Sequence, residues 1–151
     1  MESGPRPDIA YARWVHQNEN EFKVNAILEE SAFDKGMPLW NELQLTWEEL
    51  HQLPTSWVTI LKQWRGVYFI LDGADGKGYV GSASGKENLH GRWMNYRDTG
   101  HGGNKRLRER KPDKFLFTIL ELCSPTESMA NVVMCEENWK NRLHTRVYGL
   151  N

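Results

Sequence analysis

The sequence predicts an α+β fold, in which a β-hairpin and a third strand combine with several short helices. Two predicted strands, at 66–71 and 79–83, begin with the runs GVY and YVG and flank a polar, glycine-rich segment at 72–78. Apolar runs on both sides of such a segment are typical of a hairpin whose loop is longer than the tightest turns. The run at 115–122 (FLFTILEL) is apolar on both faces, so it is expected at the centre of the sheet.

The hairpin holds two tyrosines, Tyr68 and Tyr79, on neighbouring strands. A glycine at the outer end of each run, Gly66 or Gly81, leaves room for another group to approach the sheet closely. The relative position of the rings depends on the register, because a shift of one residue moves a side chain to the opposite face. A symmetric turn centred on Asp75 separates the rings, so we expect an asymmetric turn or a bulge that brings them to one face.

Capping residues and apolar spacing predict two short helices before the hairpin. Thr46 and Glu49 form a capping box, which places the start of a helix at this point. Pro54 ends that helix, because proline lacks the backbone N–H that a helix needs. Apolar residues then recur at helical spacing from Trp57 to Trp64, which predicts a second helix leading into the first strand.

Two further helices are predicted between the hairpin and the third strand. Asn88 is the expected N-cap of a helix over 89–98, and Asn104 is the expected N-cap of a basic helical segment that Pro112 ends. On the first of these helices, Arg92 and Tyr96 are four residues apart and share a face. Arginine is the side chain best suited to bidentate phosphate contact, although a surface arginine without a ligand is the commoner case.

The last helix has the most complete start signals, and it carries a carboxylate on an apolar stripe. Its start is marked by an N-cap serine, a first-position proline and a capping-box glutamate, Ser124, Pro125 and Glu127, and it is expected to run to about residue 144. Glu136 lies in the middle of a stripe formed by Met129, Val132, Trp139 and Leu143. A carboxylate there is costly unless it is paired, hydrogen-bonded or bound to metal. A glutamate that reaches solvent at the helix edge, or that pairs with a buried arginine, is the simpler interpretation.

Length and charge indicate one domain with an extension. The chain has 151 residues, and five of its seven tryptophans lie in the first 64. Residues 1–60 carry a net charge of −6 and residues 61–151 a net charge of +5. We therefore divide the chain into a Trp-rich, acidic, mostly helical extension over 1–64 and a domain over 65–151.

Cysteine usage and hydropathy indicate an expected cellular location. Cys123 and Cys135 have no partner cysteine or histidine at zinc-site spacing, so they are expected to be free thiols in a reducing cytoplasm. No stretch is long and apolar enough to span a bilayer, and the N-terminus lacks the apolar core of a signal peptide. A membrane partner is therefore not expected.

The order of these features resembles the GIY-YIG nuclease family. Two hairpin runs with valine at each centre are followed by an arginine, a Glu-x-x-Trp on the last helix and a terminal asparagine. The segments 91–93 (GRW), 99–104 (TGHGGN) and 145–151 (TRVYGLN) are similar to motifs of bacterial members that carry a long tryptophan-rich leader. The resemblance runs from about residue 65 to residue 151, and it implies a small three-stranded antiparallel sheet flanked by helices.

The resemblance also implies a reaction, the hydrolysis of a DNA phosphodiester with one divalent metal, Mg²⁺ or Mn²⁺. Glu136 resembles the metal-binding carboxylate, and Arg92 resembles the phosphate-binding arginine. Tyr68 resembles the tyrosine that activates the attacking water, and Tyr79 resembles the second tyrosine, which orients or shares that proton. Asn151 resembles the asparagine that closes the site.

Proton handling is left open by one departure from the family motif. Some members place a histidine one turn after the arginine, whereas this chain has Tyr96 there, so either Tyr96 or His101 takes the second proton. A free phenol titrates at a pH of about 10, so Tyr68 needs nearby cations to act as a base. Arg92, Lys77 and the metal are the candidate cations.

The basic segment at 86–111 is the expected DNA surface, with eight lysines and arginines against three acidic residues. The predicted DNA-binding residues are Lys86, Arg97, Asn104, Lys105, Arg106 and Arg108. Duplex DNA is the expected partner. Cleavage of both DNA strands needs two active sites, so the sequence leaves open whether the protein forms a homodimer. Two alternatives to an enzyme also stay open. One is a non-catalytic DNA-binding module built on 86–111, and the other is a protein-interaction domain that uses exposed N-terminal tryptophans.

Overall fold

The computed structural model describes residues 36–151, in which an antiparallel sheet is flanked by helices. Its four strands are β1 (Gln44–Thr46), β2 (Arg65–Asp72), β3 (Lys77–Ala83) and β4 (Phe115–Cys123). The order across the sheet is β1-β4-β2-β3, so β3 forms one edge and β4 lies inside the sheet as predicted. The α+β class is confirmed. The additional strand, β1, has only three residues, which is too short to give a periodic signal.

Five α-helices and one 3₁₀ helix surround the sheet in the described part of the chain. They are α1 (Trp47–His51), α2 (Thr55–Gln63), α3 (Asn88–Thr99), α4 (Lys105–Arg108), the 3₁₀ helix (Pro112–Lys114) and α5 (Met129–Arg142). The predicted capping box at Thr46 and Glu49 is present. The predicted cap at Asn104 is also present, since its side chain accepts hydrogen bonds from the backbone N–H groups of Arg106 and Leu107.

Two other predicted caps are wrong because tertiary contacts or a turn use those side chains. Glu87 is the N-cap of α3, and the amide of Asn88 instead binds Lys62 O and the side chain of Arg65. For α5, the predicted capping box is also wrong. Ser128 caps the helix, while the earlier serine at 124 takes part in the turn that follows β4.

The hairpin register brings the two tyrosines to one face as predicted, but with neither the asymmetric turn nor the bulge that was expected to do so. Tyr79 pairs with Ile70, and Tyr68 pairs with Gly81, across a ladder that is regular from end to end. Because Tyr68 and Ile70 are two residues apart, both tyrosines point to the same side of the sheet. The loop is centred between Ala74 and Asp75 rather than on Asp75, which is why no bulge is needed here. The bulge lies instead between β2 and β4, at 67/68.

The main core lies on the face of the sheet that holds the tyrosines, against α1, α2 and α3. Its largest fully buried side chains include Trp93, Tyr68, Tyr96, Phe115 and Phe117. Rings in this core meet edge to face, as for Tyr68 and Trp93, whose centroids are 6.3 Å apart. The aromatic packing therefore fixes β2, β4 and α3 relative to one another.

The opposite face of the sheet packs against α5, which is only partly buried. Val132 is fully buried there, but Met129 is 60% exposed and Leu143 is 41% exposed. The apolar stripe predicted around Glu136 is thus partly solvent-exposed at both of its ends.

All described residues except Gly36 belong to one compact unit, Met37–Asn151. The division at residue 64 stays a prediction, and residues 1–35 of the predicted helical extension over 1–64 lie outside the described residues. Trp57 is buried, and Trp40, Trp47 and Trp64 pack against the core. These four do not provide the exposed anchors that a tryptophan-based interaction surface needs, and Trp14 is not described. Within 36–151, the helices are too short or too polar to cross a membrane.

Candidate functional site

Three tyrosines from three elements meet on the core face beside β3. The hydroxyl groups of Tyr68 and Tyr96 are 2.9 Å apart, and the rings of Tyr79 and Tyr96 have centroids 6.4 Å apart. Tyr68 and Tyr96 are both fully buried. The phenol of Tyr68 lies directly over Gly81, where an added Cβ would meet its Oη at 2.3 Å. The space predicted at Gly81 therefore exists, and the chain's own tyrosine fills it.

Arg92 joins this cluster from α3 and binds both phenols. Its Nε donates to the hydroxyl of Tyr68 over 3.0 Å, and a terminal nitrogen donates to the hydroxyl of Tyr96 over 3.2 Å. The other terminal nitrogen donates to Gly102 O over 3.1 Å. The guanidinium also lies 4.9 Å from the centre of the Tyr96 ring. Three fixed partners hold this cation, which is itself only half-buried.

Burial controls the ionisation of the phenols. It raises the pKa of Tyr68 well above the ordinary value, with a further rise from Tyr79, and the adjacent Arg92 lowers it only in part. The pKa of Tyr96 is raised for the same leading reason. For Arg92, burial opposes the charge, but the neighbouring phenols raise the pKa overall. The expectation that Arg92 makes Tyr68 a good base is thus outweighed by burial, and Tyr68 keeps its proton at neutral pH.

Glu136 lies against β3, on the face of the sheet opposite to the tyrosines. Its Oε2 accepts a short hydrogen bond from the hydroxyl of Ser82, and its Oε1 lies 2.6 Å from Nζ of Lys140. Successive residues of a strand point to opposite faces, so Ser82 and Gly81 face away from each other. The structure therefore places the carboxylate and the phenols on the two sides of β3. Glu136 does not pair with a buried arginine, since its partner is the lysine one turn later.

The carboxylate has the chemistry that a hard divalent cation requires. Glu136 is 14% exposed, so its side chain is largely buried but still reaches solvent. Mg²⁺ prefers oxygen ligands and usually keeps several waters around one or two carboxylates. Glu136 fits this role, with Ser82 as a neighbouring oxygen. Within the described residues there is no cluster of three or more acidic, histidine or cysteine side chains suited to a metal. A site at Glu136 would thus depend on water and substrate oxygens.

The C-terminal segment binds the free edge of β3 between these two faces. The side-chain amide of Asn151 accepts from Val80 N over 2.8 Å and donates to Val80 O over 2.7 Å. Leu150 N donates to Gly78 O over 2.8 Å. Asn151 thus takes the place of a neighbouring strand at the Val80 backbone. It holds the strand that carries Tyr79, and its side-chain hydrogen bonds go to Val80 rather than to the phenols.

His101 and Lys77 lie apart from the phenol cluster. The Nδ1 atom of His101 accepts from Gly103 N over 2.9 Å, so its ring is part of the loop that follows α3. Only the next residue in that loop, Gly102, reaches the site through its carbonyl. Lys77 is exposed at the start of β3 and lines an open surface pocket with Arg106. Of the alternatives left open by the sequence, Tyr96 contacts Tyr68, and the ring of His101 is held by its own loop.

The predicted DNA-binding residues are spread over two loops and two helices. Lys105, Arg106 and Arg108 are exposed on α4, and one terminal nitrogen of Arg106 donates to Gly149 O over 3.2 Å. Lys86 is exposed before α3, whereas Arg97 is paired with Asp98. The side-chain oxygen of Asn104, Oδ1, caps α4. The exposed cations of α4 are therefore the best placed of this set to meet a phosphate backbone.

Sequence reasoning missed three groups of the site, Ser82, Lys140 and the carbonyl of Gly102. The spacing of Lys140, four residues after Glu136, was a usable signal for an ion pair on a helix. The other two had no signal, because their contacts depend on how β3 and the loop after α3 fold back.

Three comparisons with known proteins give the following findings. A family model described as the GIY-YIG catalytic domain matches residues 65–149. The solved catalytic domain of homing endonuclease I-TevI is 24% identical, with 58% of this chain and 96% of that chain covered and a TM-score of 0.48. An alanine variant of the catalytic domain of intron endonuclease I-TevI is 23% identical, with 58% and 92% covered and the same TM-score. Among curated proteins, no sequence matches the chain significantly.

Proposed function

Since the chain belongs to the GIY-YIG family, we propose that it is a DNA endonuclease that hydrolyses phosphodiester bonds with one divalent metal ion. The observation that carries this proposal is the contact of one half-buried guanidinium, Arg92, with two buried phenols, Tyr68 and Tyr96. An ordinary surface arginine has no such partners. A cation fixed by three hydrogen bonds is preorganised to stabilise charge on a transferring phosphate.

In this proposal Arg92 binds the scissile phosphate, and Tyr68, after its phenol has released its own proton to solvent, takes the proton of the attacking water as a phenolate. Tyr96 is hydrogen-bonded to Tyr68 and is the group that shares the proton. Burial raises the pKa of Tyr68, so the phenol becomes a base only when positive charge near it exceeds what Arg92 supplies. Tyr79 packs beside Tyr96 and helps to orient the two hydroxyl groups.

Glu136 is the proposed metal ligand, with Mg²⁺ or Mn²⁺ as the ion. When bound, the metal supplies Lewis-acid stabilisation of the developing negative charge. The chain's own contribution is to hold the carboxylate with Ser82 and to keep β3 fixed through Asn151. DNA then contacts both sides of the β3 edge.

The proposed DNA path continues over α4 toward the hairpin. Lys105 and Arg108 are exposed there, and Arg106 and Lys77 line the same surface pocket. Contacts to phosphates in this region give affinity that weakens steeply with salt and carries no sequence information. Duplex DNA is the proposed substrate.

Plasmid cleavage in Mg²⁺ or Mn²⁺ tests the proposal. We expect Tyr68→Phe and Glu136→Gln each to lower the cleavage rate by about a hundredfold or more, as for loss of an acid–base or charge-stabilising group. Tyr148→Phe and Glu48→Gln are matched controls, because both residues are exposed and lie outside the site. These controls are expected to cleave like the wild type.

Equal rates for all variants would refute the assignment of these residues. A wild-type protein that binds DNA in a salt-dependent manner but cleaves it in neither metal would favour the alternative of a non-catalytic DNA-binding module.

A further inference from the structure

The proposed metal ligand already holds a cation that belongs to the chain. Lys140 lies one turn after Glu136 on α5, and its Nζ is 2.6 Å from Oε1 of Glu136. Both side chains are only 14% exposed, so this pair is less hydrated than an ordinary surface pair. The other oxygen of the carboxylate accepts from Ser82. Each carboxylate oxygen of Glu136 therefore has a partner.

A divalent ion on Oε1 conflicts with this position of Lys140. Metal–oxygen bonds to Mg²⁺ are about 2.1 Å long, so an ion on that oxygen lies within a few ångströms of the ammonium. Two positive charges this close repel strongly where water is partly excluded. Either the ion takes the remaining lone pairs of the carboxylate against this repulsion, or the ammonium moves away.

A second carboxylate next to Lys140 provides a place for the ammonium to go. Oε1 of Glu137 is 3.0 Å from the same Nζ, and the side chain of Glu137 is 41% exposed. Glu137 also binds Arg146, which holds it in place. By turning toward Glu137, the ammonium keeps an ionic partner and gains access to water.

We propose that Lys140 is a positioning residue that holds the Glu136 carboxylate until a divalent metal replaces its ammonium, which then turns to Glu137. This inference rests on the proposed metal role of Glu136. It predicts that Lys140 weakens metal binding, because each binding event must displace the ammonium. A helix pair that only stabilises α5 has no such effect on the metal.

Calorimetric titration of the full chain with Mn²⁺, in the absence of DNA, tests the inference. We expect Lys140→Met, which keeps the length of the side chain and removes its charge, to bind Mn²⁺ roughly tenfold more tightly than the wild type. Lys62→Met is the matched control, because Lys62 also forms an ion pair, with Glu87, away from the site. This control is expected to bind like the wild type. Equal or weaker binding by Lys140→Met overturns the inference.

Glu136→Gln separates this inference from the proposed function. We expect this variant to lose Mn²⁺ binding. If it binds Mn²⁺ as the wild type does, the metal role of Glu136 is wrong and the proposed function loses its metal site. If Glu136→Gln loses binding while Lys140→Met is unchanged, only the role of Lys140 is overturned.

A measurement on the wild type avoids dependence on folding of the variants. With ¹³C-labelled lysine, the NMR signal of the Lys140 side chain is expected to shift on Mg²⁺ addition with the midpoint of metal binding. Lys140→Arg identifies this signal by its loss. A Lys140 signal that stays in place while the metal binds overturns the displacement of the ammonium.

Discussion

The two faces of β3 carry two different kinds of chemistry. On the core face, Tyr68 and Tyr96 are fully buried and touch each other and Arg92. On the opposite face, Glu136 and Lys140 form an ion pair, and each is 14% exposed. The first group is fixed by aromatic packing around it, and the second is fixed by charge and one hydroxyl group. The positions of the phenols therefore depend on the shape of the packed core. The positions of Glu136 and Lys140 depend instead on which cations are present.

This difference suits the catalytic roles that we propose for the two groups. A proton acceptor and a phosphate-binding cation must keep their geometry, which a packed core provides. The proposed metal ligand must exchange partners, which a carboxylate that is held by side chains and still reaches solvent does more easily. β3 is an edge strand that lies between the two groups, and Asn151 stabilises its backbone at Val80.

The largest effect is expected from filling the space under Tyr68. In Gly81→Ala the new Cβ would meet Oη and Cζ of Tyr68 at 2.3 and 2.5 Å, and the buried ring has no room to move. Overpacking of a core typically costs up to about 3 kcal/mol, and we expect a loss near this limit in the free energy of unfolding. Urea denaturation measures it.

Gly85→Ala is the matched control for this change, because nothing lies within 4 Å of the added Cβ. It is expected to change stability by less than about 0.5 kcal/mol. A Gly81→Ala protein as stable as this control would show that the core face is adjustable and that aromatic packing does not fix the phenol cluster.

Alkaline pH is expected to have the next largest effect, and the buried phenols of the core face contribute to it. The pKa values of Tyr68 and Tyr96 are raised in the folded protein, whereas an unfolded tyrosine titrates at a pH of about 10. A group with a raised folded pKa contributes its full stability below the unfolded pKa, and that contribution is lost as the pH rises toward the folded value. Between pH 9 and pH 11 each phenol should thus lower the free energy of unfolding, because the unfolded tyrosine releases its proton more readily over this interval than the buried one does.

Urea denaturation at these two pH values, on the wild type and on Tyr96→Phe, isolates the contribution of one phenol. The variant should show a smaller loss of stability between the two values, although its stability at pH 9 is lower because Tyr68 and Arg92 lose a partner. Tyr148→Phe should keep the wild-type loss, because Tyr148 is 76% exposed. The same loss in wild type and Tyr96→Phe would mean that Tyr96 is not held neutral by burial.

The parts of the fold that depend on nearby residues could be predicted from the sequence. The hairpin, the inner strand β4, helix α2 and the capping box at Thr46 and Glu49 each follow from a short segment, and all are present. Elements that depend on distant partners were missed or misplaced. β1 is formed by pairing with β4. Asn88 does not cap the helix because its side chain hydrogen-bonds to Lys62 and Arg65 instead.

In the candidate site, too, features that depend on nearby residues could be predicted and features that depend on distant partners could not. The spacing of Arg92 and Tyr96 on one helix predicted their shared face, and both contact Tyr68. Which face of β3 meets Glu136 could not be predicted, since it depends on how α5 returns to the sheet after β4. Register was uncertain for a similar reason, because moving the loop centre by half a residue decides the face of Tyr79.

The smallest effect is expected on the ion-paired face, from Ser82→Ala. This change removes the hydroxyl group that donates to Glu136, but Lys140 still holds the other oxygen. Water can replace the lost donor because the carboxylate is partly exposed, so we expect a cost below about 1 kcal/mol in the free energy of unfolding. Ser56→Ala, at an exposed position of α2, is the control for a serine-to-alanine change in itself. Urea denaturation of both variants compares them.

A loss above about 2 kcal/mol for Ser82→Ala alone would show that this face is held as firmly as the phenol cluster, because only an unsatisfied buried group costs that much. Glu136 would then be too constrained to exchange Lys140 for a metal.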